Sequence, residues 1–436
     1  MSSRTYSIAT IGIWHLGETY SNGLAKIGHR VVGIDNNAKV IENLSKNIPP
    51  LPEPDLEELL EENQVAGKLS YTTNFSKVDG CDIVWLTFDT PVNDEDEVDP
   101  SPIWDGLIKC IPYLKEGALV AVSSQIPVGT SKKIQALIHE KRPELHFDYV
   151  YSPENLRLGE ALHCFLEPGR VVVGAETESA FTKMEEVLGP LHAEIVRMAP
   201  ASAEMAKHAL NAFLATSLSF INDIADACEK SGADVLDVVR ALRSDARVGQ
   251  KAFLGPGLGF SGGTLGRDLK ALMRFSKEEG FGVPVIEAAY LKNRSREEAI
   301  VEKLKGVLGG MDGKTIALFG LTYKPGTRTL RRSKSLIIAA ELARRGARLR
   351  LQDPVVLEEE LPRISNAVFS RDPYESGRGS EAIMLLTPWP EFKALDLVQL
   401  SQGMIGKKAF LDPWNLLYDK QNEFEKLGFI YEGTGR

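Results

Sequence analysis

One feature constrains this chain more than any other: a glycine turn set between two short apolar runs. Residues 6–13, YSIATIGI, read as a strand that runs into GIWHLG (12–17). A helical pattern follows from Glu18 to Ile27, Gly28 stops it, and HRVVGID (29–35) reads as a second strand closed by an acid. Strand, glycine turn, helix, and strand ending in an acid make up the unit that seats a dinucleotide. Free N–H groups at the helix start face a diphosphate. The acid takes the ribose hydroxyls and repels a 2′-phosphate, which favours NAD over NADP. Gly12, Gly17 and Asp35 occupy those positions. Trp14 stands where a middle glycine normally admits the diphosphate to the backbone. Its indole must therefore point away from the phosphates; otherwise the turn is a decayed site and Trp14 is packing.

Further β-like runs lie at 81–88, 117–124, 148–153 and 170–175, with helical stretches between most of them. Continuous Val/Ile runs alternating with helices indicate a parallel sheet covered on both faces. The pattern changes near Pro200. Residues 201–232 read as one long helix, 235–242 as another, and more helix follows from Asp268 through Lys303. Their apolar positions recur at helical spacing and require a partner, within the chain or from a second copy. GGMDG (309–313) reads as a linker turn, after which the first pattern returns. KTIALFGL (314–321) is a strand, 335–345 a helix stopped by Gly346, and ARLRLQDP (347–354) again ends a strand on aspartate. EAIMLLTP (381–388) and AFLDP (409–413) are later strands. The expected fold is α/β: two Rossmann-like doubly wound parallel-sheet domains, 1–200 and 309–436, joined by a helical middle domain, 201–308.

A chain of 436 residues holds two or three cores. A net charge of −9 argues against nucleic-acid and anionic-membrane partners. The four cysteines form no CxxC pair and no Cys/His cluster, which indicates a reducing compartment and no metal site. No signal-peptide pattern or membrane-length apolar run is present, so the expected location is the cytoplasm.

Three segments carry chemistry. In EMAKHALNAF, Lys207 and Asn211 lie four residues apart on one helix face, which Glu204 shares. An ammonium and an amide so placed can hold a developing alkoxide, although such a pair alone is more often a solvated polar face. In FLGPGLGFSGGTLGRDLKAL (253–272), a glycine-rich stretch suited to close backbone approach precedes Asp268. Asp268 either caps the following helix or positions a water or a lysine. In SPENLRLG (152–159), Glu154 follows a strand, at the end where open α/β sheets bind ligands.

Taken in order, GIWHLG with GID, PEPDLEELL (52–60), DTP (89–91), IPVGT (126–130), SPENLRLG, EMAKHALNAFLA, DARVG (245–249), FSGGTLGRD and GLTYKPGT (320–327) resemble the nucleotide-sugar 6-dehydrogenases of the UDP-glucose/GDP-mannose dehydrogenase family. The resemblance covers essentially the whole chain. That family oxidises a sugar primary alcohol to an acid with two NAD molecules, in polysaccharide biosynthesis. The resemblance implies cofactor contacts at Gly12, Trp14, His15, Leu16, Gly17, Asp35, Phe88, Thr90, Ser124 and Gln125. It implies that Lys207 and Asn211 stabilise oxyanions, and that Glu154 and Asp268 organise water and proton transfer. Arg247 would reach a sugar nucleotide, in a neighbouring subunit in one version. Phe253, Leu254, Gly259, Phe260 and Tyr323 would lie along the substrate, with Lys324 and Arg331 near its phosphates. The middle helices would form a homodimer interface.

This chain departs from the pattern at its most reactive position. The family's glycine loop reads GGSC, with the cysteine as nucleophile, and here that residue is Thr264. A thiol is partly thiolate at neutral pH, whereas a threonine hydroxyl needs an activating base, and no histidine lies in the loop. Gln125 replaces the family's active-site threonine, Arg267 the lysine after the cysteine, and Trp414 the arginine after a late Asp-Gly pair. The expected activity is NAD-dependent oxidation of a nucleotide-diphosphate sugar that halts at the aldehyde or acts on another hydroxyl. Two other functions use the same residues: a non-redox epimerase or dehydratase with NAD recycled in each turnover, and a nucleotide-sugar-binding protein without turnover.

Overall fold

Short runs rich in Val, Ile and Leu form many of the inner strands, and their alternate side chains enter cores on opposite faces of each sheet. The computed structural model describes residues 4–90, 99–261 and 263–436. Pro91 of the DTP motif and Gly262 of the glycine loop lie outside them. In chain order the main elements are β1 (Ser7–Ile11), α1 (His15–Lys26), β2 (Arg30–Ile34), α2 (Ala38–Leu44), α3 (Leu56–Val65), β3 (Leu69–Thr72), β4 (Ile83–Leu86), α4 (Ser101–Cys110), β5 (Leu119–Val122), α5 (Thr130–Lys141), β6 (Asp148–Tyr151), α6 (Ala161–Leu166), β7 (Val171–Ala175), α7 (Glu178–Leu188) and β8 (Ile195–Met198). Four helices follow: α8 (Pro200–Ser231), α9 (Val235–Ser244), α10 (Thr264–Glu278) and α11 (Pro284–Leu308). The remainder is β9 (Thr315–Phe319), α12 (Lys334–Arg344), β10 (Arg348–Gln352), β11 (Ala367–Phe369), α13 (Pro373–Gly377), β12 (Ala382–Leu385), α14 (Leu397–Gly403), β13 (Ala409–Asp412), α15 (Gln421–Lys426) and β14 (Ile430–Gly433). The chain divides into two compact units, Met1–Ala209 and Leu210–Arg436, with the division falling inside α8.

The first unit holds an eight-stranded sheet in the order β3-β2-β1-β4-β5-β6-β7-β8. Ile8, Ile83, Trp85 and Leu119 face one core, while Ala9, Ile11, Val84, Leu86 and Val120 face the other. Because β1 lies between β2 and β4, strand order reverses there, and the C-terminal ends of β1 and β4 mark the place where open α/β sheets bind ligands. The second unit repeats the plan with six parallel strands, β11-β10-β9-β12-β13-β14. Ile316 and Leu318 of β9 enter one core, and Ala317 and Phe319 the other. The α/β class with two parallel-sheet, Rossmann-like domains and a helical middle region is the observed architecture.

Three details depart from the sequence expectation. The first sheet is not uniformly parallel, since β7 runs antiparallel to β6. Four strands absent from the sequence reading, β3, β8, β11 and β14, are the outer strands of the two sheets. And α10 begins at Thr264, four residues before Asp268, with Gly263 as its N-cap. Asp268 is thus buried within the helix rather than capping it.

Candidate active site

The dinucleotide turn is built by close backbone packing. Gly12 has φ +92, open to glycine but not to ordinary residues. A Cβ on Gly17 would come within 1.9 Å of the Gly12 carbonyl oxygen, so α1 can start so close to β1 only with glycine there. The Gly12 N–H donates to the Ile34 carbonyl (2.9 Å), and Thr87 Oγ1 donates to the Gly12 carbonyl (3.1 Å). Asp35, just past β2, accepts the Ile13 N–H on Oδ2 (2.7 Å) and the Asn37 N–H on Oδ1 (2.8 Å), which fixes its carboxylate beside the turn. Trp14 has φ −123 and ψ −148, a conformation open to any side chain, and its indole is half-exposed.

The other residues assigned to the cofactor sit around this turn in different ways. Leu16 donates its N–H to the Asp89 carboxylate (3.2 Å). Phe88 is packed between Gly12 and Gly106, where a Cβ on either would overlap its ring. Thr90 is buried, and its hydroxyl has no hydrogen-bond partner among the described residues. Ser124 and Gln125 are buried beyond the end of β5. His15 Nε2 lies 2.7 Å from Glu53 Oε1, and Glu53 also accepts the N–H groups of Gly159 (2.8 Å) and Ala161 (3.1 Å). Glu53 thereby ties the dinucleotide turn to the loop that carries Glu154. Sequence reading placed Glu53 inside PEPDLEELL without giving it this role, because its partners are remote in the chain.

The start of α8 is clamped onto the same sheet. Gly174 of β7 has no room for a Cβ, which would lie 2.6 Å from that of Ala203. The Glu204 carboxylate accepts the N–H groups of Gly129 (2.6 Å) and Ser131 (2.7 Å) and the Ser131 hydroxyl (2.7 Å) at the start of α5. An anion there complements the helix dipole. Glu204 is therefore committed to α5 instead of joining the Lys207–Asn211 face. One turn on, the buried Lys207 ammonium donates to the Glu154 carbonyl (2.5 Å) and to its carboxylate (3.0 Å).

In the second unit, Asn211, one turn after Lys207 on α8, donates its amide N–H to the buried Asp268 carboxylate. Thr264 is exposed, as the first residue of α10. The Asn293 side chain accepts the Phe260 N–H (2.8 Å) and donates to the Phe260 carbonyl (3.0 Å), and it fills the space beside Gly259, whose φ is +82. Ser261 donates its hydroxyl to the Tyr323 carbonyl (2.8 Å), and the Lys324 ammonium stands over the Tyr323 ring (5.8 Å). Leu254 is buried, Phe253 and Arg331 are exposed, and Arg247 is paired with Asp245 at the surface (2.7 Å). Trp414 donates its indole N–H to the Leu386 carbonyl (2.9 Å) and packs against Gly257, so it supports the glycine loop as a wall instead of presenting a cation.

A dinucleotide turn at the switch point of a largely parallel sheet, with a buried lysine–glutamate pair just past the C-terminal end of β6, marks a dinucleotide-binding protein of the kind that includes nicotinamide-nucleotide dehydrogenases. The comparisons with known proteins agree. Three family models match in order: "UDP-glucose/GDP-mannose dehydrogenase family, NAD binding domain" at residues 6–192, the central domain at 201–295, and the UDP binding domain at 317–419. The chain is 34% identical over 432 residues to the UDP-glucose 6-dehydrogenase TuaD of Bacillus subtilis, covering 98% of this chain and 93% of that protein. It is 33% identical to a UDP-glucose 6-dehydrogenase of Rhizobium meliloti, covering 98% and 99%. A UDP-glucose dehydrogenase structure from Pyrobaculum islandicum superposes with TM-score 0.87 at 29% identity over 99% and 98% of the two chains.

The chain belongs to the UDP-glucose/GDP-mannose dehydrogenase family. It is an NAD-dependent nucleotide-sugar dehydrogenase, an oxidoreductase whose last domain is of the UDP-binding type. The epimerase and the turnover-free readings are not favoured. The residues present fit the cofactor: the Gly12–Gly17 cradle admits no side chain, and the Thr90 hydroxyl is buried without a partner among the described residues. No described helix is long and apolar enough to cross a membrane.

Proposed function

We propose that the chain oxidises the C6 primary alcohol of a UDP-hexose once and releases the aldehyde. One observation carries this reading: the first residue of α10 is Thr264, where the family's sequence pattern has a cysteine. The names of the relatives point to UDP-glucose as the first substrate to test.

Lys207 and Asn211 hold the alcohol oxygen and stabilise it as negative charge builds. The hydroxyl proton passes to the Lys207–Glu154 pair, the C6–H bond breaks with both its electrons, and C=O forms. When bound, NAD supplies the two-electron acceptor. Asp268 orients the Asn211 amide. The family's route to the second oxidation passes through a covalent hemiacetal on its cysteine, and Thr264 lacks an ionised nucleophile at neutral pH to form one. Tyr323, Phe253, Leu254, Gly259 and Phe260 line the sugar, with Lys324, Arg331 and Arg247 toward its phosphates. Residues 1–200 bind the cofactor, 201–308 dimerise, and 309–436 bind the nucleotide.

The exposed phenylalanines of α8, Phe213 and Phe220, support a homodimer through the middle helices. Four free cysteines support a cytoplasmic location, and the family supports a role in polysaccharide biosynthesis. The test is stoichiometry with UDP-glucose. The account expects one NADH per sugar and a carbonyl that a hydrazide traps, and it expects Thr264→Cys to produce uronate. Two NADH and uronate from the unaltered chain would remove the single-oxidation reading.

A further inference from the structure

Residues 255–261 lie in neither helix nor strand, so their backbone N–H and C=O groups need partners from elsewhere. At two positions side chains meet both groups. The Gly257 N–H donates to Asn222 Oδ1 (3.0 Å), and the Gly257 carbonyl accepts from Arg296 Nε (3.0 Å). The N–H and the carbonyl of Phe260 are both held by the Asn293 amide (2.8 and 3.0 Å). We infer that Asn293 is a positioning residue: by engaging both polar groups of Phe260 it sets the glycine loop in one shape before any ligand arrives. The inference rests on the placement of Gly259 and Phe260 along the sugar proposed above, and it adds the residue that fixes that wall.

The groups that hold the loop are themselves fixed. Asn222 is buried on α8, eleven residues after Asn211, which is about three turns and brings both amides to one face. Asn211 donates to the Asp268 carboxylate. One face of α8 therefore holds the segment at both ends, at Gly257 before the loop and at Asp268 after it. From the other side, Asn293 and Arg296 lie three residues apart on one face of α11. Arg296 is buried and also donates to Asp226 Oδ1 (2.7 Å). The buried Lys334 ammonium, at the start of α12, donates to the Asn293 carbonyl (2.8 Å) and pairs with Glu297 (2.9 Å). These bonds fix the turn of α11 that carries Asn293.

Asn293 does two things at once. Besides holding Phe260, its Oδ1 fills the space beside Gly259, where an added Cβ would come within 2.2 Å of it. Gly259 has φ +82, so the loop bends there against the amide. Without that amide the Phe260 peptide loses both partners and the bend loses its support. A loop with free peptide groups samples several shapes, and a ligand must then supply the ordering, which weakens binding. The loss falls on the ligand that touches this loop, the sugar nucleotide, and not on NAD.

The first test needs no ligand. Hydrogen exchange of the full chain, resolved to single amides, should be slow at Gly257 and Phe260. Asn293→Ala should speed Phe260 by about tenfold or more and leave Gly257 slow, which separates a loosened loop from a lost fold. Asn293→Asp, which keeps the acceptor and loses the donor, should leave Phe260 slow. The second test is kinetic. Asn293→Ala should raise KM for UDP-glucose about tenfold, the scale of one or two net hydrogen bonds, with kcat and the KM for NAD within about threefold of the unaltered chain. Asn293→Asp should raise the same KM about threefold. Unchanged exchange at Phe260, an unchanged KM for UDP-glucose, or equal rises in both KM values overturns the inference. Exchange that quickens equally at Gly257 and Phe260 also overturns it, since Asn293 would then support the fold and not the loop. An unaltered chain that does not turn over UDP-glucose fails the substrate reading instead, and the exchange result alone then decides the role of Asn293.

Discussion

Glu18 lies fully buried in the first turn of α1, and neither carboxyl oxygen has a hydrogen-bond partner among the described residues. Burial, helped by the nearby Glu53 charge, raises its pKa from 4.5 to about 8. In the unfolded chain Glu18 ionises near 4.5, so between that value and about 8 the folded state holds the extra proton. Stability therefore falls as pH rises through this window. Glu18→Gln should flatten that fall and raise unfolding stability at pH 8 by about 4 kcal/mol, with little effect near pH 4.5. Urea denaturation at the two ends of the window checks it, and parallel pH curves for the two proteins would contradict it. Lys207→Ala should lower kcat by about 10²–10³-fold, the cost of one oxyanion donor, while NAD affinity by titration stays near that of the unaltered chain. At this scale the turn built by Gly12, Gly17 and Asp35 was legible because its geometry is set by spacing along one strand–turn–helix unit. Glu53 and Glu204 were not, because their partners lie far away in sequence.

Among the elements, α8 is fixed to its neighbours by polar clamps. Glu204 joins α8 to the start of α5 through three donors. Glu204→Gln keeps the shape but loses the charge and leaves a donor facing donors. A loss of about 1–3 kcal/mol is expected, read as a lower thermal midpoint, together with a reduced kcat because Lys207 stands one turn further on. An unchanged midpoint would show that the clamp is dispensable. The strands that sequence reading found are the inner ones, whose continuous Val/Ile/Leu runs are buried on both faces. The four it missed are edge strands such as LSYT and IYEG, half-exposed and without an apolar run. The antiparallel β7 was illegible for a related reason: RVVVGA has the same composition whichever way it runs, and direction is set by connections, not by residues.

At the scale of the molecule, the proposed dimer explains why α8 leaves Phe213 68% exposed and Phe220 47% exposed. Phe213→Asp should shift the chain toward monomer in sedimentation equilibrium, and a wild-type chain that sediments as a monomer would contradict the dimer. The order of the motifs made the whole-chain plan readable, since each motif sits at a strand end or helix start that the α/β architecture fixes. On the proposed reading the number of oxidation steps turns on one side chain, Thr264, and the most direct test follows the hydrogens. With UDP-glucose carrying two deuterium atoms at C6, the account predicts one deuterium delivered to NADH per sugar and one retained on the released aldehyde. Delivery of both, with a carboxylate as product, would contradict it.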